Sequence, residues 1–285
     1  MSAEIIRHAA AMRTRLGIER QSRKKIGFVP TMGALHAGHG ALMDAARRDC
    51  DVVVASVFVN PTQFNNKEDY ERYARNLDAD VAFAGGHGVD IVFAPGVEEM
   101  YPPNADVFVE VPEVSEGLCG AFRPGHFRGV ATVVTKLFHI VEPGVAYFGE
   151  KDAQQLAVIR RMVAGLNLAV SIVGVPTVRD SDGLALSSRN ERLMREDRLR
   201  APLLYRALEA ARREIENGDT NAAQIRVRGL SVLAQEPSIR VEYFEVVDAE
   251  SMQPAASASR RVCIAAAIWL GGVRLIDNVT AGGTQ

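Results

Sequence analysis

Apolar residues fall along this chain in two alternating rhythms. Short runs closed by Gly, Pro or Asn read as strands, and longer stretches with apolar positions at helical spacing read as helices. Ile26 to Val29 is a run of the first kind, ended by Pro30 and Gly33, and a helical pattern resumes over Ala41 to Arg48. Asp51 to Asn60 is almost continuously apolar, the pattern of a strand buried on both faces of a parallel sheet. Asp90 to Ala94, Val107 to Val111, Val145 to Phe148 and Val170 to Val175 read as further strands. Glu4 to Leu16, Lys67 to Ala84, Val130 to Ile140 and Ala153 to Leu166 read as helices, and Gly85 to Gly88 as a simple turn with His87 in solvent. Strand and helix in alternation predict an α/β fold built on a doubly wound parallel sheet.

From Glu191 the rhythm changes. A charged, Ala- and Leu-rich helix runs to Ile215, breaks at Asn217 to Asp219, and is followed by a second helix to about Ala234. Arg240 to Asp248 and Arg261 to Leu270 are strand-like, and Gly271 to Asp277 returns as a hairpin. A smaller α+β domain is therefore expected at the C-terminal end, with the tail from Gly282 to Gln285 frayed.

Composition narrows the function. At 285 residues the chain is long for one domain, and its net charge of −2 argues against a nucleic-acid partner, which would leave a basic stripe. Cys50, Cys119 and Cys263 stand far apart, which indicates neither a disulfide framework nor a zinc site and fits a reducing compartment. The longest apolar run, Val52 to Val59, is far too short to span a bilayer, and the first residues have no apolar core of signal-peptide length. No membrane partner and a cytoplasmic location are expected.

The chemistry concentrates where strands end. After the Ile26 run, His36 and His39 stand three residues apart at a helix start, where the N–H groups near Gly38 and Gly40 are expected to be unpaired donors for an anion. A histidine pair in a loop is either surface decoration or a phosphate site, and the strand–turn–helix context favours the second. There is no P-loop. Asn60-Pro-Thr-Gln-Phe64 places Gln63 at the carboxyl end of a central strand, where open α/β sheets bind ligands. Arg123, His126 and Arg128 crowd a Gly/Pro loop before a helix, as solvated surface or for anion handling. Gly149-Glu-Lys-Asp152 is either an ordinary charged turn or a site with Lys151 on phosphate and Asp152 near Mg²⁺. Of Gln154 and Gln155, adjacent on one helix, only one can face a site. Ser187-Ser188-Arg189 is a common cap, with Ser188 capping the helix that follows, or a phosphate clamp.

Residues 29–39 and 59–64, Arg123 to Gly129, Phe148 to Asp152 and Asp182 to Asn190 together resemble the pantothenate synthetase (pantoate–β-alanine ligase) family, within the His-x-Gly-His nucleotidyltransferase superfamily. The resemblance implies a Rossmann-like domain over residues 1–177 that binds ATP and pantoate, and a C-terminal α+β lid domain over 178–285. It also implies ligation of pantoate to β-alanine through a pantoyl adenylate, with release of AMP and pyrophosphate, and a homodimer. It puts ATP on Met32, Gly33, Ala34, Leu35, His36, Ala37, Gly38 and His39. Gly149, Glu150, Lys151 and Asp152, together with Val178 and Leu186 to Arg189, complete that set. It gives pantoate to Gln63 and Gln155, with Gln63 also near β-alanine, and makes His39 the proton donor. His36, Lys151, Ser187, Ser188 and Arg189 join His39 as the groups that offset charge, and Asp80 and Asp152 lie nearest Mg²⁺. Three positions depart from the family pattern: Gly40 and Leu186 stand where a bulky apolar residue and Met are usual, and Ala153 where Tyr is usual. A catalytically dead nucleotide-binding regulator is disfavoured by the retained His, Lys and Ser-Ser-Arg set. A tRNA synthetase is disfavoured by the lack of an evident RNA-binding domain.

Overall fold

The computed structural model describes residues 3–282, so the expected fraying of the last residues lies outside the described residues. Among those residues the strands form two sheets, one six-stranded and one three-stranded. The larger contains β1 (Glu4–Ile6), β2 (Ile26–Thr31), β3 (Val52–Val57), β4 (Ile91–Phe93), β5 (Val145–Gly149) and β6 (Ser171–Val175) in the order β1-β4-β3-β2-β5-β6. Every pairing in it is parallel, with Ile26 opposite Val52 and Thr31 opposite Val57 along the central pair. Helices cover both faces, which is why Val52 to Ala55 can be apolar without alternation and still be buried throughout. From β2 the chain builds outward through β3 and β4, then returns to lay β5 against the other side of β2. That reversal is a topological switch point, and ligands bind outside the carboxyl ends of strands at such points.

Glu4–Ile6 is a strand, because it pairs with Ile91–Phe93; the helix starts later, as α1 (Ala9–Gln21), with the Ala9 N–H donating 2.8 Å to Glu99. Lys67 to Ala84 is two helices, α3 (Lys67–Glu71) and α4 (Leu77–Gly86), because Asn66 and Asn76 each accept a first-turn N–H and so cap a separate start. The second runs through Gly85 and Gly86, and His87 is its half-buried C-cap, bonded to Asp44, rather than a solvated turn residue. Val107 to Val111 joins no sheet: the Val109 N–H donates to Thr132 Oγ1, and Val107 is 81% exposed.

The second sheet is an antiparallel meander of β7 (Arg240–Asp248), β8 (Val262–Leu270) and β9 (Val273–Ala281). Helix Leu203–Glu216 presents Leu204, Ala207, Leu208 and Ala211 to it, spaced at i, i+3, i+4 and i+7. Cutting Leu208 back to Ala there would cost about 2–5 kcal/mol. The single helix expected from Glu191 is instead a turn (Ser188–Arg192), a short helix (Arg195–Arg200) and the long one, divided at Pro202, which has no N–H to donate.

The chain forms two compact units, one of Met1–Val111, Arg123–Glu150 and Val158–Pro176, the other of Pro112–Phe122, Lys151–Ala157 and Thr177–Gln285. In the second unit Gln154 stitches two of these segments together. Its Nε2 donates to Val114 O (3.0 Å) and Gly117 O (2.8 Å), and its Oε1 accepts from the Cys119 N–H (3.0 Å). No helix among the described residues is long and apolar enough to cross a membrane.

Candidate active site

At the carboxyl end of β2 the chain turns through Gly33 (φ +81°) and Ala34 (φ +51°) into α2 (Ala37–Asp49). Asp80, in the first turn of α4 and only 4% exposed, holds this turn: its two oxygens accept from the Ala34 N–H (3.2 Å) and the Leu35 N–H (2.9 Å). His36 is the N-cap of α2. Its Nδ1 accepts from the Gly38 N–H (3.1 Å), and Nδ1 of His39 accepts from the His36 N–H (3.3 Å). The two histidines thus build a capping box, a role usually played by Ser or Thr with Glu or Gln.

This corrects one expectation and sharpens another. The N–H groups of Gly38 and Gly40 are not unpaired, since the first donates to His36 Nδ1 and the second to His36 O at 3.0 Å. The donors this helix start can offer therefore include the imidazole N–H groups. With Nδ1 of each imidazole accepting, the neutral ring carries its proton on Nε2, so the cap fixes both the tautomer and the direction of two N–H donors. The ring centroids lie 4.2 Å apart.

Beside them, at the carboxyl end of β3, Asn60 organises the turn Pro61–Gln63. Asn60 is 1% exposed; its Oδ1 accepts from the Thr62 N–H and from the hydroxyls of Thr62 and Tyr101. Its Nδ2 donates to Gln63 Oε1 and to Gly129 O, both at 3.0 Å. The Gln63 carboxamide is thereby oriented with its Nε2 outward, 2.9 Å from the weak acceptor Met32 Sδ. The approach needs Gly129, where a Cβ would lie 2.5 Å from Thr62 O. Burial pushes the Tyr101 hydroxyl above the ordinary phenol range.

Arg123 and His126 also serve Gln63. His126 Nδ1–H (2.8 Å) and Arg123 Nη2 (3.1 Å) both donate to its backbone carbonyl, and Arg123 Nη1 lies 3.2 Å from His126 Nε2. Arg128 stands apart, over the Phe108 ring and 3.5 Å from Glu110, as ordinary surface. Sequence reasoning missed Asn60 as a functional residue. Its position in the Asn-Pro-Thr-Gln turn is visible, but its partners Tyr101 and Gly129 lie 41 and 69 positions away.

At the neighbouring strand end, β5 closes with Gly149 and the chain passes through the single turn Glu150–Asp152. Asp152 is exposed and Gln155 half-buried, whereas Gln154 is committed to the fold. Within the second unit, a small pocket is lined by Lys151, Ala185, Ser187, Arg189, Asn190 and Arg274 among others. The Leu186 N–H donates 2.9 Å to Val178 O, which brings these two expected nucleotide residues together. Ser187, rather than Ser188, is the cap: its Oγ accepts from the Arg189 N–H at 3.3 Å. Asn190 Nδ2 donates to Ala185 O, while its buried Oδ1 accepts from no donor among the described residues. Arg179 braces this wall through both nitrogens to Asp277 (2.5 and 3.0 Å), its guanidinium 3.9 Å from the centre of the Tyr205 ring. Burial pushes Asp277 up from the usual carboxylate range, and Arg179 pulls against that.

A parallel sheet with a switch point between β2 and β5, and polar side chains fixed at the strand ends around it, is where an α/β fold binds its ligands. The family model described as pantoate-beta-alanine ligase matches residues 4–280, and the chain belongs to that family. The pantothenate synthetase of Moorella thermoacetica is 50% identical over 276 residues, covering 97% of this chain and 98% of the relative; that of Thermotoga neapolitana is 51% identical over 263 residues, 92% and 94%. Among solved structures, pantothenate synthetase from Thermus thermophilus superposes with a TM-score of 0.91 at 48% identity over 97% of this chain and 98% of its own. The pantoate-beta-alanine ligase from Francisella tularensis, complexed with beta-gamma ATP and beta-alanine, gives a TM-score of 0.77 at 35% identity over 98% and 97%.

Proposed function

We propose that this chain condenses pantoate with β-alanine through an enzyme-bound pantoyl adenylate, using ATP and releasing AMP and pyrophosphate. The observation that carries the reading is the histidine capping box at the helix start beside the switch point, in which Nδ1 of each ring accepts a backbone N–H and the neutral imidazole keeps its own N–H at Nε2. Pantoate's carboxylate is ionised at pH 7, so its attack on the α-phosphorus needs no base. It needs alignment and the neutralisation of two approaching anions. His36 and His39 supply oriented donors, and Lys151, Ser187, Ser188 and Arg189 supply further charge and hydrogen bonds; a single such donor contributes about 3 kcal/mol to the transition state. Met32 to His39, Gly149 to Asp152, Val178 and Leu186 to Arg189 are the nucleotide residues in this reading.

Gln63 and Gln155 are neutral and orient pantoate's hydroxyls without competing for its carboxylate. Gln63 Nε2 is suited to this because Met32 Sδ is a weak partner that a hydroxyl replaces with gain. His39 is the proton donor. No three His, Cys, Asp or Glu side chains gather as a metal cage among the described residues. Mg²⁺ that arrives on the triphosphate needs only one or two carboxylates from protein. Exposed Asp152 fits that role; Asp80, whose oxygens already hold Ala34 and Leu35, fits it through its remaining lone pairs. The ion would offset charge on the phosphates. A cytoplasmic homodimer completes the proposal, and light scattering checks the dimer.

AMP release, followed by a coupled assay with ATP and Mg²⁺, tests the whole. AMP forms only when pantoate and β-alanine are both supplied; full-rate AMP release with pantoate omitted would overturn the assignment.

A further inference from the structure

Gly40 follows His39 in the first turn of α2 and is buried. A Cβ at this position would lie 2.6 Å from Cε1 and 2.8 Å from Nε2 of His87, so the His87 imidazole occupies the space a side chain at 40 would fill. That ring is held from two sides. Its Nδ1 lies 2.8 Å from Asp44 Oδ1, one turn further along α2, and its ring packs at a tilt of 37° against Phe83 with centroids 4.6 Å apart. The backbone at 87 is fixed as well, since its N–H donates to Phe83 O and Ala84 O. Helix α4 therefore grips the histidine turn at two points: Asp80 in its first turn holds the N–H groups of Ala34 and Leu35, and His87 at its C-cap fills the gap over Gly40.

We propose that His87 is a positioning residue for the His36–His39 pair, its imidazole standing in for the side chain that Gly40 lacks and holding the first turn of α2 in register. The proposal rests on the reading that His36 and His39 serve the attack on the α-phosphorus. Glycine leaves the backbone at 40 freer than any other residue would, and contacts from outside the helix must supply the missing constraint. A displacement of about 1 Å at reacting groups is enough to cost on the order of a hundredfold in rate. The His87 side chain is 31% exposed, so removing it opens a partly solvated gap rather than a sealed cavity, and the variant is expected to fold.

The test is a double-mutant cycle. His87→Ala lowers kcat for AMP formation about tenfold and leaves the KM for β-alanine unchanged. Gly40→Leu collides with the ring and is also slow. His87→Ala combined with Gly40→Leu, in which the new side chain occupies the vacated space, returns to within about threefold of the parent. A double variant no faster than His87→Ala alone would overturn the proposal, as would a His87→Ala variant with a lowered Tm and full kcat. The ¹⁵N resonances of the His36 and His39 rings give a readout independent of turnover: they shift in His87→Ala and return in the double variant. Unchanged ring signals in His87→Ala count against the proposal even if the parent makes no AMP, an outcome that would separately refute the ligase reading.

Discussion

Two regions that carry residues expected to touch substrate are built on opposite plans. At the start of α2 each histidine spends Nδ1 on a backbone N–H, and at the adjacent end of β3 Gln63 spends Oε1 on Asn60, so the identity of the remaining polar atom of each group is set in advance. At Ser187 to Asn190, the cap uses Ser187 alone, Ser188 and Arg189 remain half-buried on a short turn, and Asn190 keeps a buried acceptor without a partner among the described residues. Groups held rigid before substrate arrives are suited to stabilising a transition state, because they need no reorganisation at the moment of reaction. A turn with long side chains and an unmet acceptor is suited to closing on a ligand already bound. The first plan predicts that substitutions lower kcat, the second that they raise KM.

The largest effect expected from that contrast lies at the histidine turn. His39→Ala lowers the single-turnover adenylation rate by about two to three orders of magnitude while the KM for ATP changes little. A near-normal single-turnover rate would reduce the capping box to a structural device.

Asn60→Asp comes next. The acceptor for Tyr101 and Thr62 survives, but an oxygen replaces the Nδ2 that faces Gln63 Oε1 and Gly129 O. The Gln63 amide loses the bond that sets its orientation, and kcat/KM for pantoate falls by about ten- to a hundredfold, the cost of facing acceptor against acceptor in a buried site. Equal losses for pantoate and for ATP would show that the variant disturbs the whole turn and not the amide.

The smallest effects separate two neighbours. Gln154→Ala removes three hydrogen bonds from buried backbone partners and lowers stability by about 1–3 kcal/mol, leaving the KM for pantoate unchanged. Gln155→Ala does the reverse: the Tm stays and the KM for pantoate rises. Denaturation and steady-state kinetics on both variants read the exchange, and a common effect on both measurements would contradict the division of labour.

These sites also mark how far the chain can be read without its structure. His36, His39, Gln63, Lys151 and Ser187 to Arg189 stand out in the sequence because each lies within three residues of a Gly, Pro or Asn, and that local signal survives without a partner. Strands β2, β3, β5 and β6 are legible for the same reason. β1 is not: Glu4-Ile-Ile is a strand only because Ile91 to Phe93 lies beside it, and no pattern within residues 4–16 encodes that. Val107 to Val111 fails in the opposite sense, being rich in strand-forming Val and Phe but having a helix hydroxyl, Thr132 Oγ1, as its partner in place of another strand. Asn60 and His87 act through residues distant in sequence, and His87 reads as solvated from its Gly-rich surroundings because the gap it fills belongs to Gly40 on another helix.

The central claim is attack by the pantoate carboxylate on the α-phosphorus at the histidine-capped helix start. Its most direct test uses pantoate labelled with ¹⁸O in the carboxylate. Attack at the α-phosphorus expels pyrophosphate and leaves one carboxylate oxygen bridging the acyl carbon and AMP. When the β-alanine amine then displaces AMP at the acyl carbon, the bridging oxygen departs with it. Mass spectrometry should find one ¹⁸O in AMP and none in pyrophosphate; label in inorganic phosphate with ADP as co-product would contradict the account.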